Sequence, residues 1–259
     1  MKAMQTDIAI ERDGEIAIIT MNRPEKRNAL SVQMMRALDG AFRRIAEDNT
    51  CRVAILRGDG PAFCAGHDLR ELIDGDEDAY EAVFQACVDL MRTIAGIPQP
   101  VIAEVANVAT AAGCQLVAAC DLAVASTQAT FATPGVRIGL FCSTPMVALS
   151  RAIGRKRAME MLLTGDPIDA ATALSWGLVN RVVAPERLHE AALELARKIA
   201  SSSRRVVGLG KAAFYAQIEM DAPAAYDYTK KVMIANALEP DAHEGISAFL
   251  QHRAARWNV

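Results

Sequence analysis

Apolar and polar residues alternate from the start of the chain. The runs IAIE and IAIITM, separated by the turn pair Asp13-Gly14, predict a β-hairpin. NRPEKRNA is a polar loop, and beyond it the period lengthens to that of a helix. Met35, Leu38, Phe42 and Ile45 share one face of a helix predicted over residues 32–48, with Ser31 as its N-cap. RVAILRG reads as a buried strand, residues 77–96 as a helix, and QPVIAEV as a second strand led by Pro100. AAGCQLVAAC is short and apolar with a small-residue entry, which suits a buried helix; DLAVAS and TFA return to strand. From about residue 144 onward the pattern is helical apart from GLVNRVV, and the last sixty residues carry no strand pattern. Strands interleaved with helices, then a run of helices, predict an α/β core with a helical C-terminal part.

Composition narrows the function without naming it. With 259 residues, 52% of them hydrophobic, the chain can bury a substantial core in one large domain or in one domain plus an appendage. A net charge of -3 without a basic stripe argues against a nucleic-acid partner. No apolar run approaches the ~20 residues of a membrane span, and the first residues show no signal or transit pattern. The expectation is therefore a cytoplasmic protein with no membrane partner. The six cysteines form no CxxC pair and sit mostly in apolar runs, as free thiols in a reducing compartment do.

Several motifs fail on inspection. GLGK, ending at Lys211, lacks the spacing of a phosphate loop, and His243-Glu244 lacks the second histidine of a zinc helix. No metal site is expected. His189, His243 and His252 fall in predicted surface helices and read as solvated. Two strand-to-helix junctions of the same form remain: AFCAGHDL after RVAILRG, and ATAAGCQL after VIAEV. In each, small residues let the backbone approach a ligand, and a helix start follows with its unpaired N–H groups. Two such N–H groups converging on one oxygen make an oxyanion hole. Either junction alone is explained as well by a tight turn. Asp68 reads as a cap for the short helix after it.

Together, RPEKRNAL, AFCAGHDLREL, AAGCQLVAACDLAVAS, FATPGVRIGL and EMLLTG, in this order and spacing, resemble the crotonase (enoyl-CoA hydratase/isomerase) superfamily over nearly the whole chain. Within it, AAGCQL, FATPGV and GLFCSTP are similar to the enoyl-CoA hydratase domain-containing protein 3 group. The resemblance implies a spiral core of ββα units over residues 1–200 and a helical trimerisation region over 201–259. It also implies trimers or dimers of trimers and an acyl-CoA thioester as ligand, with coenzyme A part of the substrate and no separate cofactor. By position, the backbone N–H groups of His67 and Ala112 correspond to the family's oxyanion hole. Lys26 and Arg27, with the stretch Ala65 to Leu69 that includes Asp68, correspond to its CoA-binding segments. His252 and Arg253, placed in the last helix, fall where a basic residue of a neighbouring subunit approaches the adenine end.

The sequence departs from this pattern where hydratases of the family carry two glutamates. The first position is Gln115 and the second Gly135. A glutamine amide orients water but does not take its proton, and glycine does neither. Enolate stabilisation is retained, while proton transfer by a carboxylate pair is not. Loss of CO₂ from a malonyl-type thioester fits, since it generates the enolate without a base, and AGHD resembles the same stretch in the family's methylmalonyl-CoA decarboxylases. Cys142 and Ser143 fall where the family lines its acyl pocket; Cys142 is as readily a packed thiol as a nucleophile. Three readings follow: a hydratase/isomerase-like enzyme, a decarboxylase on the same site, and a non-catalytic CoA-thioester binder. Restoring glutamate at both positions is expected to raise crotonyl-CoA hydration.

Overall fold

The computed structural model describes residues 7–257. Its repeating unit is two strands and a helix. Strands β1 (Ile8–Asp13) and β2 (Ile16–Met21) pair antiparallel and precede helix α1 (Val32–Glu47). Then come β3 (Val53–Gly58), β4 (Ala62–Cys64) and α2 (Glu77–Gly96), followed by β5 (Val101–Val105), β6 (Val108–Thr110) and α3 (Ala112–Ala119). Strands β7 (Leu122–Ser126) and β8 (Thr130–Ala132) lead to α4 (Pro145–Ala152) and α5 (Arg155–Thr164). The chain then places β9 (Ile168–Asp169), α6 (Ala170–Trp176), β10 (Arg181–Val183) and α7 (Leu188–Ala200). Helices α8 (Arg204–Gln217), α9 (Ala222–Ala237) and α10 (Pro240–Leu250) end it.

In three successive units the first strand joins one sheet and the second joins another. The large sheet has the order β1-β2-β3-β5-β7-β10, parallel except for the opening hairpin. The small sheet has the order β4-β6-β8-β9. The strands of the small sheet are only two or three residues long, too short for a two-residue alternation to register. That is why β4, β6 and β9 are not picked out as strands in the sequence. The hairpin register pairs Asp13 with Ile16, so the turn residues are Gly14 and Glu15, one position later than expected.

The inner strands β2, β3, β5 and β7 of the large sheet are largely buried on both faces, as a parallel sheet covered by helices requires. Ala17, Ile19, Ala54 and Leu56 face the main core with α1, α2 and α3; Ile16, Ile18, Val53 and Ile55 face a second core closed by α7. Ser31 caps α1 by accepting the Met34 N–H, and Met35, Leu38, Phe42 and Ile45 are all buried. The C-terminal helices behave differently. Helix α9 buries none of its residues, and Tyr226 (79%) and Phe249 (80%) are largely exposed. No described helix is long and apolar enough to cross a membrane.

Candidate active site at two strand-to-helix junctions

The two junctions lie against each other. A β-carbon added to Gly66 would stand 2.9 Å from the Ala111 Cβ and 3.4 Å from the Ala112 nitrogen. A β-carbon on Gly113 would run into the Cys64 carbonyl group, so the first turn of α3 rests directly on the backbone of β4. The small residues of AAGC and CAG are thus required by one contact between backbones. In each junction a residue with positive φ precedes the donor of interest: Gly66 (φ 89°) before His67, and Ala111 (φ 52°, ψ −119°) before Ala112. No backbone bond within the described residues uses the His67 or Ala112 N–H, whereas Ala111 donates to Ala132 and Asp68 donates to Leu30.

Lys26, Arg27 and the stretch Ala65–Leu69 are brought together. The Ala65 N–H donates to the Arg27 carbonyl, Leu30 to Gly66 and Asp68 to Leu30, at 2.7–3.1 Å. Asn28, fully buried, holds this loop by accepting the Arg23 N–H and donating to the carbonyls of Asp59 and Ala62. Lys26 is half-buried, and Arg27 and Leu69 are exposed. Asp68 caps the turn Leu69–Leu72 by accepting the Arg70 N–H. The first junction is therefore followed by this 3-10 turn, and the regular helix begins only at Glu77.

Helix α2 forms a wall behind both junctions. The His67 ring meets Phe84 edge-on at 5.6 Å, and one turn along, the Cys87 thiol donates to the Gln115 Oε1 at 3.7 Å. Neither Phe84 nor Cys87 stands out in the sequence, because a half-buried helix flank carries no motif. Both nitrogens of the His67 ring are buried without a hydrogen-bond partner. Burial lowers its pKa, against an opposing pull from the Leu30 backbone, so the imidazole is neutral at pH 7. Burial likewise pushes the Cys87 thiol up to about 12 and raises that of Cys142, and no carboxylate contributes to any of these shifts. Cys142, buried and protonated, is a packed thiol with no base beside it.

Gly135 lies in the turn Pro134–Ile138 and is buried. Its φ lies outside the left-handed region, yet a β-carbon there would collide with the Leu140 carbonyl and stand 2.8 Å from the Cys142 Sγ. A glutamate at this position would displace the turn, which overturns the expectation that both carboxylates can be restored. His252 and Arg253 lie just beyond α10 and not within it, and Arg253 is held by Glu244 through two bonds of 2.6 and 2.9 Å. His189 is not simply solvated: its Nδ1 lies 2.9 Å from the carboxylate of buried Glu104. Lys211, the end of the dismissed GLGK, is also buried and donates to Ile94, Gln99 and Asp121. All six cysteines are free, and among the described residues no group of three His, Cys, Asp or Glu side chains could hold a metal ion.

Comparison with known proteins agrees with this architecture. The family model described as enoyl-CoA hydratase/isomerase matches residues 11–259. The human enoyl-CoA hydratase domain-containing protein 3, mitochondrial, is 50% identical over 251 residues, covering 96% of this chain and 82% of that protein. Its crystal structure superposes with a TM-score of 0.95 at 48% identity, covering 97% of this chain and 100% of that one. An enoyl-CoA hydratase structure from Mycobacterium smegmatis gives a TM-score of 0.96, also at 48% identity, covering 98% of this chain and 100% of that one. With junctions, sheets and family model in agreement, the chain belongs to the enoyl-CoA hydratase/isomerase family.

Proposed function

We propose that the chain binds an acyl-CoA thioester with its carbonyl oxygen between the His67 and Ala112 N–H groups, and that it stabilises the derived enolate without a carboxylate pair. The observation that supports this reading is the pair of N–H groups left out of the backbone hydrogen bonding at two junctions packed so closely that a β-carbon on Gly66 would stand 3.4 Å from the Ala112 nitrogen. One such donor is worth about 2.7–4 kcal/mol when charge develops on the oxygen. A positioned general base contributes ~10²–10⁴-fold in rate, and Gln115 and Gly135 supply none. Hydration, which needs water activated, is therefore slow.

Decarboxylation of a malonyl-type thioester suits what remains. The bond between the α-carbon and its carboxylate breaks, and its electron pair moves into the thioester to form the enolate. CO₂ leaves, the two N–H groups hold the oxyanion, and the α-carbon then takes a proton from water. The segments around Lys26, Arg27, Ala65, Asp68 and Leu69 bind coenzyme A, and His252 approaches the adenine end from a neighbouring subunit. Residues 201–259 build a trimer or a dimer of trimers, for which the exposed apolar side chains of α8–α10 are the support. The free cysteines suit the cytoplasm.

The test is a panel of malonyl-, methylmalonyl- and crotonyl-CoA followed by mass spectrometry, with light scattering on the same sample. Loss of CO₂ from the first two with little crotonyl-CoA hydration is the expected result. Rapid hydration by the wild type would overturn the reading. Saturable binding with no turnover of any thioester would leave a CoA-thioester binder in its place. A stable monomer at micromolar concentration would refute the assembly.

A further inference from the structure

The two ends of the Gln115 amide are treated differently by the fold. Gln115 follows Ala112 by three residues on α3, so the two share a face of the helix with their β-carbons about 5–6 Å apart. The residue is only 4% exposed. Its Oε1 accepts from the Cys87 thiol, which stays protonated because burial pushes its pKa up to about 12. Its Nε2, with two N–H groups to give, has no partner among the described residues. A half-turn of an amide exchanges its oxygen and nitrogen, and only the neighbouring groups decide between the two orientations. Here the neighbour is Cys87, a donor that suits the oxygen.

Around the free end of the amide there are donors and no free carboxylate. The His67 ring lies against Phe84 with both nitrogens buried, so it offers a ligand only its backbone N–H. Gln115 also lines the cleft bordered by α2, α3 and α8. Of the charged side chains there, Asp121 is bonded to Lys211 and Tyr215, and Glu219 is paired with Arg151. Arg92 is exposed and has no partner among the described residues. These groups suit an anionic acceptor, and an acyl group without an acceptor leaves the buried amide unpaired.

We propose that the Gln115 amide donates to the carboxylate of a malonyl-type acyl group whose thioester sits at the His67 and Ala112 N–H groups, and that Cys87 is the positioning residue that turns the amide toward it. The inference rests on the reading of the junctions as a CoA-thioester site. In such a group the carboxyl carbon lies two bonds from the thioester carbon, on the scale of the spacing between Ala112 and Gln115. A neutral donor fixes the direction of the carboxylate while leaving its charge free to pass to the thioester oxygen as CO₂ departs. Gln115 thus selects the substrate at a position that no longer transfers its protons.

Calorimetric titration of the assembled protein with two analogues tests this. In sulfoacetyl-CoA a sulfonate replaces the carboxylate and no CO₂ can leave; 3-methylbutyryl-CoA has a similar shape without an acceptor. The wild type is expected to favour the sulfonate by about tenfold or more, the size of one hydrogen bond to a charged group. Gln115→Met, close in shape and without a donor, should lower that ratio about tenfold. Cys87→Ala should lower it at least about twofold, the statistical cost of an amide free to present either end, and Cys87→Ser, which keeps a donor, should restore it. The Cys87 variants carry the test should Gln115→Met not fold. A wild type without preference, or a folded Gln115→Met with the ratio intact, would overturn the proposal while leaving the thioester site standing. Loss of the ratio in Arg92→Gln alone would assign the anion to Arg92 and refute the contact with Gln115. Equal ratios in Cys87→Ala and Cys87→Ser would remove the positioning role. Absence of binding by every CoA compound would defeat the thioester reading together with this one.

Discussion

The two junctions meet one conformational demand with different residues. Both need a positive φ just before the donor peptide. At the first, Gly66 adopts it (φ 89°) without steric penalty; at the second, Ala111 is held at φ 52° and ψ −119°. That pair of angles belongs to the first central position of a type II′ turn, which favours glycine. The second junction also opens a buried eight-residue helix whose dipole adds to the Ala112 N–H, whereas the first opens only a 3-10 turn. Strain is therefore concentrated where the donor is best supported electrostatically, and the packing of Gly113 on β4 is what sustains it.

The largest effect should come from breaking that packing. Gly113→Ala drives a β-carbon into the Cys64 carbonyl group, two pieces of backbone that cannot rotate aside. A loss at or above the ~1–3 kcal/mol typical of overpacking is expected. A displaced Ala112 N–H should also lower turnover of the preferred thioester by about 100-fold. Urea denaturation and kcat on the same preparation check both. Gly66→Ala should do less: the left-handed conformation costs about 1–2 kcal/mol with a side chain, plus the 2.9 Å approach to the Ala111 Cβ. Were Gly66→Ala the more damaging of the two, the assignment of the tighter contact to the second junction would be wrong.

Ala111→Gly sharpens the comparison in the other direction. Relief of ~1–3 kcal/mol of backbone strain, less the ~0.5–1 kcal/mol entropic penalty of glycine, leaves a net gain of about 1 kcal/mol. In a chain of this size that raises Tm by about 2–4 °C, readable by calorimetry. An unchanged or lower Tm would mean that Ala111 is not strained.

The smallest effect concerns His67. Its folded pKa lies below the ordinary 6.5 because burial disfavours the imidazolium. As pH falls through 6.5 the unfolded chain binds a proton that the folded chain refuses, so stability declines from there down to the depressed folded value. The slope is at most about 1.4 kcal/mol per pH unit. His67→Asn, without that titration, should show a shallower decline over the same window in unfolding followed at several pH values. Equal slopes would mean the ring is protonated in the fold.

Much of the fold was legible in local pattern. The hairpin, α1 with its Ser31 cap and α2 over residues 77–96 follow from apolar period and capping, because each is long enough for its period to be read, and the buried α3 follows from its apolar run with a small-residue entry. The short strands β4, β6 and β9 were not, since each is defined by its neighbours in the small sheet and not by its own residues. The site divides the same way. Gly66, His67, Ala112 and Gln115 stand in two similar motifs, and the roles proposed for them rest on the resemblance to a known family.

The chain by itself therefore determined the order of the longer strands and helices, the absence of carboxylates at residues 115 and 135, and the small residues at both junctions. Only the tertiary structure decided that Gly113 bears on Cys64, that Gly135 has no room for any side chain, and that Arg253 is already paired with Glu244. It also decided that Lys211 is buried against Asp121, and that Phe84 and Cys87 back the His67 ring and the Gln115 amide. The physical reason is that propensity and periodicity act between residues a few positions apart. Room for a β-carbon, a partner for a buried charge and the packing of one junction on another depend on atoms that folding brings together from distant parts of the chain.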